Sequence, residues 1–197
     1  MQKAKVGKKL SKQKLAFITE ILRVLLSGKG SCLHTVSGGG FVHLLVDGPQ
    51  HFAVERLITH FGAGNGLADL AANAYLNRFK GSAPEPRRDL DALEYAYRIA
   101  ERFPLKRETA ERLVGCMAEA GWYGRLEGCA RKYCARDPKP EEVALLFRSY
   151  MDGASYGSST DEALAKYAQD YMPAAQAERQ LQLLAKRNER FHEESAY

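Results

Sequence analysis

DLDALEYAYRIAERFPLKRETAERLVGCMAEAGWYGRLEGCARKYC, residues 89–134, places an apolar side chain every three to four positions, with breaks that reset the phase. Leu90, Leu93, Tyr97 and Ala100 share one helical face; Ala110, Leu113, Val114 and Met117 share the next. Trp122, Leu126, Cys129, Ala130 and Tyr133 form a third stripe. The pattern continues with Val143, Leu146, Phe147, Tyr150 and Met151, then with Leu164, Tyr167, Ala168 and Tyr171. Pro104, Gly121, Asp137-Pro138 with Pro140, and the stretch from Gly153 to Ser159 punctuate these runs. Alternate helices start near 89 and 122, and the intervening ones near 107 and 139. That is a period of about 32–33 residues, the length of one helix–turn–helix repeat.

Working outward, the same spacing predicts helices near 11–26, 50–61, 67–80, 89–103, 108–120, 122–135, 140–152, 160–171 and 174–192. The fold class expected is all-α: a short α-solenoid of helix–turn–helix repeats with an N-terminal basic arm and capping helices. The chain divides by composition into a basic arm and N-terminal helix (1–28), an irregular glycine-containing segment with a helix (29–64), and a helical-repeat domain with a C-terminal helix (65–197). Gly28 to Gly40 reads as a loop. FVHLLVDG, from Phe41, is an apolar run too short for periodicity to decide, and its helical surroundings lean it towards helix. Phe52, Leu57, Ile58 and Phe61 are the candidates for burial on the helix that follows.

The landmark spacing resembles the pentatricopeptide repeat, a relative of the tetratricopeptide repeat. In that family an alanine of one helix precedes the next unit's threonine by about 17 residues. A glycine follows the threonine by about 12, and a proline by about 31. Ala92, Thr109, Gly121 and Pro140 stand in those places, and LAANAYLNRF ahead of Gly81 resembles a first helix paired with 89–103. The resemblance implies RNA bases read at two positions, which here are Glu111 and Glu141. Carboxylates there repel phosphate, so the expected reading is a kept fold with a lost code, as in structural members of organellar ribonucleoproteins.

Charge supplies the other signal. The chain carries 29 lysines and arginines and 24 acids. Residues 1–19 hold six of the lysines and no acid, which leaves 23 basic residues against 24 acidic ones elsewhere. Lys3, Lys5, Lys8, Lys9, Lys12 and Lys14, with Arg23 and Lys29 behind them, are the expected RNA phosphate-binding residues. Neighbouring proteins are the partners expected of the helical array. The longest apolar stretch, Ala16 to Leu26, is interrupted by Glu20 and Arg23, so no membrane insertion is expected.

Candidate chemistry is sparse. Gly62 to Gly66 and Ser37 to Gly40 lack the strand context and the Gly-Lys-Ser/Thr of a phosphate loop. His34, His43, His51 and His60 form no zinc spacing with each other or with Cys32. The aromatic set Trp122, Tyr123, Tyr133, Tyr150, Tyr156, Tyr167 and Tyr171 sits at helical spacing and reads as packing before base stacking. Cys116, Cys129 and Cys134 read as buried free thiols of a reducing compartment. No catalytic residue, metal ligand or cofactor is assigned, and the chain is expected not to be an enzyme. The leading expectation is a non-catalytic structural subunit of a ribonucleoprotein, an organellar ribosome or RNA-processing complex, in an intracellular and plausibly mitochondrial setting. The alternative is a free-standing tetratricopeptide-like adaptor that binds protein.

Overall fold

A computed structural model describes residues 10–35, 41–47, 50–61, 65–81, 90–152 and 158–195. The chain packs as two units, Met1–Thr109 and Ala110–Tyr197. The described residues form nine helices and one two-stranded hairpin, and chain neighbours pack on each other within the units. The protein is all-α in class, with the hairpin as an insertion in the first unit.

In the first unit, α1 (Lys12–Ser27) starts at Ser11, whose Oγ accepts the Lys14 N–H at 3.3 Å. This satisfies one of the otherwise unpaired donors of the first turn. Ile18, Leu22, Val24, Leu25 and Leu26 are buried. Gly28, at φ 68°, takes the left-handed conformation that closes the helix, and its N–H donates to Val24 O.

The next segment corrects the sequence reading. Residues 29–35, read as loop, form β1 (Lys29–Thr35), and residues 41–47, leaned towards helix, form β2 (Phe41–Asp47). They pair antiparallel, from Lys29 opposite Asp47 to Thr35 opposite Phe41. Seven residues are short for a helix but ample for a strand, and β-branched and aromatic residues suit a pleated surface. The partner strand was concealed because KGSCLHT is weakly apolar and gives no period of its own.

Helix α2 (His51–Phe61) buries Val54 and Ile58, one turn apart. Leu57 and Phe61 are half-buried, but Phe52, expected in the core, is 73% exposed. Val54 and Ile58 fix the inward face, and Phe52 lies about 160° round the helix from Val54. Helix α3 (Leu67–Gly81) and α4 (Leu90–Arg102) pack together. Ala68, Ala71 and Ala72 of α3 and Ala92, Ala96 and Ala100 of α4 are all buried; short side chains allow close backbone approach. The expected α4 stripe is shifted: Leu90 is exposed and Tyr97 half-buried, while Ala92, Leu93, Ala96, Ile99 and Ala100 point inward.

Helix α5 (Arg107–Glu119) crosses the division between the units. The second unit continues with α6 (Tyr123–Cys134), α7 (Pro140–Asp152), α8 (Ser158–Tyr171) and α9 (Ala174–Ser195). The residues expected in the interior are there: Leu93, Leu113, Met117, Leu126, Ala130, Leu146 and Phe147 are each at most 1% exposed. The landmarks mark turns as well. Thr109 lies in the first turn of α5 and is buried, accepting from Asn73 Nδ2 at 3.0 Å. Gly121 follows α5 at φ 74°, and an added Cβ there would stand 2.9 Å from Ser149 Oγ. Pro140 opens α7, where its missing N–H costs nothing. Among the described residues no strand occurs in 65–171, and no helix is long and apolar enough to cross a membrane.

Candidate functional site

A groove lined by cationic and hydrogen-bonding side chains runs between α1 and α3 in the first unit. Arg23, Leu26 and Ser27 form one wall; Leu70, Asn73, Ala74, Asn77 and Arg78 form the other. The cavity measures about 530 Å³. Residues 70, 73, 74 and 77 follow the i, i+3, i+4, i+7 rule, so a single face of α3 presents both carboxamides. Asn73 is held by two donations, to Asp69 O and to Thr109 Oγ1, each at 3.0 Å. Ser27 Oγ donates to Val24 O at 2.9 Å, which keeps this hydroxyl against its own helix. Arg23 is 66% exposed and pairs with Glu20 across one turn at 3.6 Å, a contact that water and salt screen heavily. Both Asn73 N–H groups are spent on those bonds, so two guanidinium groups and the Asn77 carboxamide over an apolar floor are what suit an anionic oxygen-rich group such as a phosphodiester.

The residues assigned to phosphate from sequence fall out as follows. Lys3, Lys5, Lys8 and Lys9 lie outside the described residues. Lys12 and Lys14 are exposed in the first turn of α1. Lys12 stands eleven residues before Arg23 on nearly the same face, about 16 Å along the axis, whereas Lys14 lies on the far side of the helix. Lys29 opens β1 opposite Asp47. Arg23 and Lys12 are therefore aligned with the groove. Arg78, Asn73 and Asn77 were missed; the signal available was an Asn at i and i+4 followed directly by Arg on a predicted helix.

The second unit treats charge differently. Ala135, at φ 52° and ψ 40°, ends α6 in the left-handed region, and its N–H donates to Ala130 O. Arg136 follows and turns back to the helices. Its Nη2 donates to Glu111 at 2.5 Å and to Glu142 at 2.6 Å, while Nη1 reaches Glu142 at 2.9 Å and Asp137 O at 2.8 Å. Lys139 Nζ adds a bond to Glu111 at 3.0 Å. Glu142 also accepts the Lys139 N–H at 2.9 Å, the reach-back half of a capping box at the start of α7. Hydrogen bonds from Arg136, then Lys139, hold the Glu111 carboxyl down to about 2 against the opposing effect of burial. Glu111 is thus an internal ion-pair partner. Glu141, the other position implied by the repeat resemblance, is exposed in the first turn of α7.

The aromatic set behaves as packing material. Trp122, Tyr123, Tyr133, Tyr150, Tyr167 and Tyr171 are half-buried, and Tyr156 lies outside the described residues. Tyr167 Oη donates to Tyr123 O at 2.7 Å, and Tyr171 Oη accepts from Arg131 at 3.2 Å. Cys116, Cys129 and Cys134 are buried free thiols, and burial raises the Cys134 pKa. No group of three His, Cys, Asp or Glu side chains converges to hold a metal among the described residues. Compared with known proteins, the chain matches no family model, no curated protein and no solved structure.

Proposed function

We propose that this chain is a non-catalytic structural subunit of a ribonucleoprotein assembly. The lysine-rich arm and the α1–α3 groove neutralise RNA phosphates, while helical faces hold neighbouring proteins. The observation that carries the reading is the alignment of Lys12 and Arg23 on one face of α1, with Arg23 across the groove from Asn77 and Arg78, directly downstream of four more lysines. Lysine in the arm suits phosphate of any sequence because a flexible point charge needs no base identity. The engagement of Glu111 with Arg136 and Lys139 supports a role without base-by-base reading at that position. The pentatricopeptide-like spacing points to an organellar, mitochondrial assembly such as a ribosome or RNA-processing complex.

One observation supports the adaptor reading. An apolar groove of about 630 Å³ along α8 and α9, lined in part by Met172, Ala177 and Leu181, offers a surface for protein. RNA binding across a salt series separates the two. Replacing the six arm lysines by Gln should flatten the slope of log affinity against log salt by roughly 4–5, and adding Arg23→Gln with Arg78→Gln by about 1.5 more. Equal slopes for wild type and the lysine variant would remove the arm from RNA and favour the adaptor.

A further inference from the structure

We infer that Phe52, with Arg56 beside it, is a stacking platform for an unpaired base of single-stranded RNA; the inference rests on the RNA reading above. Among the described residues three large apolar side chains are exposed, and Phe52 is the most exposed at 73%, ahead of Leu90 at 50% and Leu183 at 43%. The Arg56 guanidinium carbon lies 5.5 Å from its ring centroid, one turn along α2. Thr59 and His60 are exposed on the same flank. The single acid of α2, Glu55, is ion-paired with Arg102.

The start of the helix that carries the ring is anchored. Its neighbour His51 stacks on Tyr95 at 3.6 Å with planes 15° apart, and His51 Nδ1 lies 2.7 Å from the hydroxyl of fully buried Tyr75. Gln50 N–H donates to Leu25 O at 3.1 Å, tying the start of α2 to the last turn of α1, where Leu26 and Ser27 line the cationic groove. The backbone that carries Phe52 is anchored at this end of α2, and the ring itself faces outward, on the side of the helix opposite Val54 and Ile58.

Size decides between base and protein as the occupant. A Phe side chain offers about 150–250 Å² at most, against about 800 Å² per partner in a standard protein interface. Among the described residues of α2 its exposed neighbours are Arg56, Thr59 and His60, which do not extend an apolar patch. A base needs only one ring face and gains from the adjacent guanidinium, and every base has such a face, so the contact is indifferent to sequence.

The test uses the full chain and fluorescence anisotropy with a short fluorescein-labelled oligoadenylate and an abasic strand of equal length. Phe52→Ala should weaken oligoadenylate binding about tenfold or more. It should leave the abasic strand and the log-salt slope unchanged, because no phosphate contact is lost. Phe52→Trp should restore affinity, and the melting temperature of Phe52→Ala should match wild type. If Phe52→Ala binds oligoadenylate as wild type does while the six-lysine variant is weakened, the stacking inference fails and the RNA reading stands. If wild type binds neither strand, the RNA reading fails and takes the inference with it.

Discussion

In the first unit Arg23 stands 66% exposed on a groove wall, loosely paired with a wet Glu20; in the second, Arg136 is 16% exposed and bracketed by Glu111 and Glu142. One lies within α1 and the other just past the end of α6. One remains available to a polyanion and the other is part of the scaffold. Availability is therefore set by whether carboxylates converge from other turns and helices, and a count of charges along the chain does not report it. The same contrast holds for aromatic residues. Phe52 presents its ring outward, whereas Tyr167 spends its hydroxyl on the Tyr123 carbonyl and fixes a helix start.

The comparison concerns charges and presumes cores of equal quality, which is the largest effect to check. Leu126→Ala in the second unit and Leu93→Ala in the first remove fully buried side chains, and each should cost about 2–5 kcal/mol in denaturant unfolding. A cost well under that range for one of them would mean that its unit packs loosely and that the contrast reflects rigidity instead. Next in size, Arg136→Ala strands two carboxylates at a mostly buried site and should cost about 2–3 kcal/mol, less than a wholly buried pair because some water reaches it.

This cluster also carries a pH signature. Glu111 is held down to about 2 when folded, against an ordinary value of 4.5. Its stabilising effect is thus full above about pH 4.5 and is lost as pH falls towards 2. Unfolding followed by circular dichroism should show that loss in wild type and a shallower one in Arg136→Ala; parallel profiles would separate Glu111 from acid stability. The smallest effect expected is that of Glu20→Gln, which breaks the exposed pair on α1 and should change stability by no more than about 0.5 kcal/mol. A cost near that of Arg136→Ala would erase the distinction between the two arginines.

Legibility in the sequence followed the same physics. Helices α5 to α8 were readable because Leu113, Leu126, Leu146 and Leu164 recur in phase between strong breakers, and amphipathic period survives whatever the tertiary partner is. The hairpin was not, since FVHLLV has no helical phase and KGSCLHT little apolar content; pairing between them is a non-local fact. Phe52 was misplaced because α2 is apolar on more than one side, and only the positions of α1 and α3 choose Val54 and Ile58 as the inner face. Of the groove, Arg23 was identified by charge, whereas Asn73, Asn77 and Arg78 gain meaning only when α3 is laid beside α1. Glu111 was singled out by its place in the repeat, but its partner lies 25 residues away and no local pattern announces it.

Ala135 gives the Arg136 cluster a mechanical side. The other described residues with positive φ are Gly28, Gly66 and Gly121; Ala135 is the one residue among them with a side chain. An L-residue in that basin sits about 1–2 kcal/mol above its preferred conformation. The end of α6 is therefore a small wound spring, and the guanidinium of the very next residue is the catch that keeps it wound. Acid that protonates Glu111 takes away one of the two carboxylates on that catch, while the Arg136 bonds to Glu142 and to the Asp137 carbonyl still hold it.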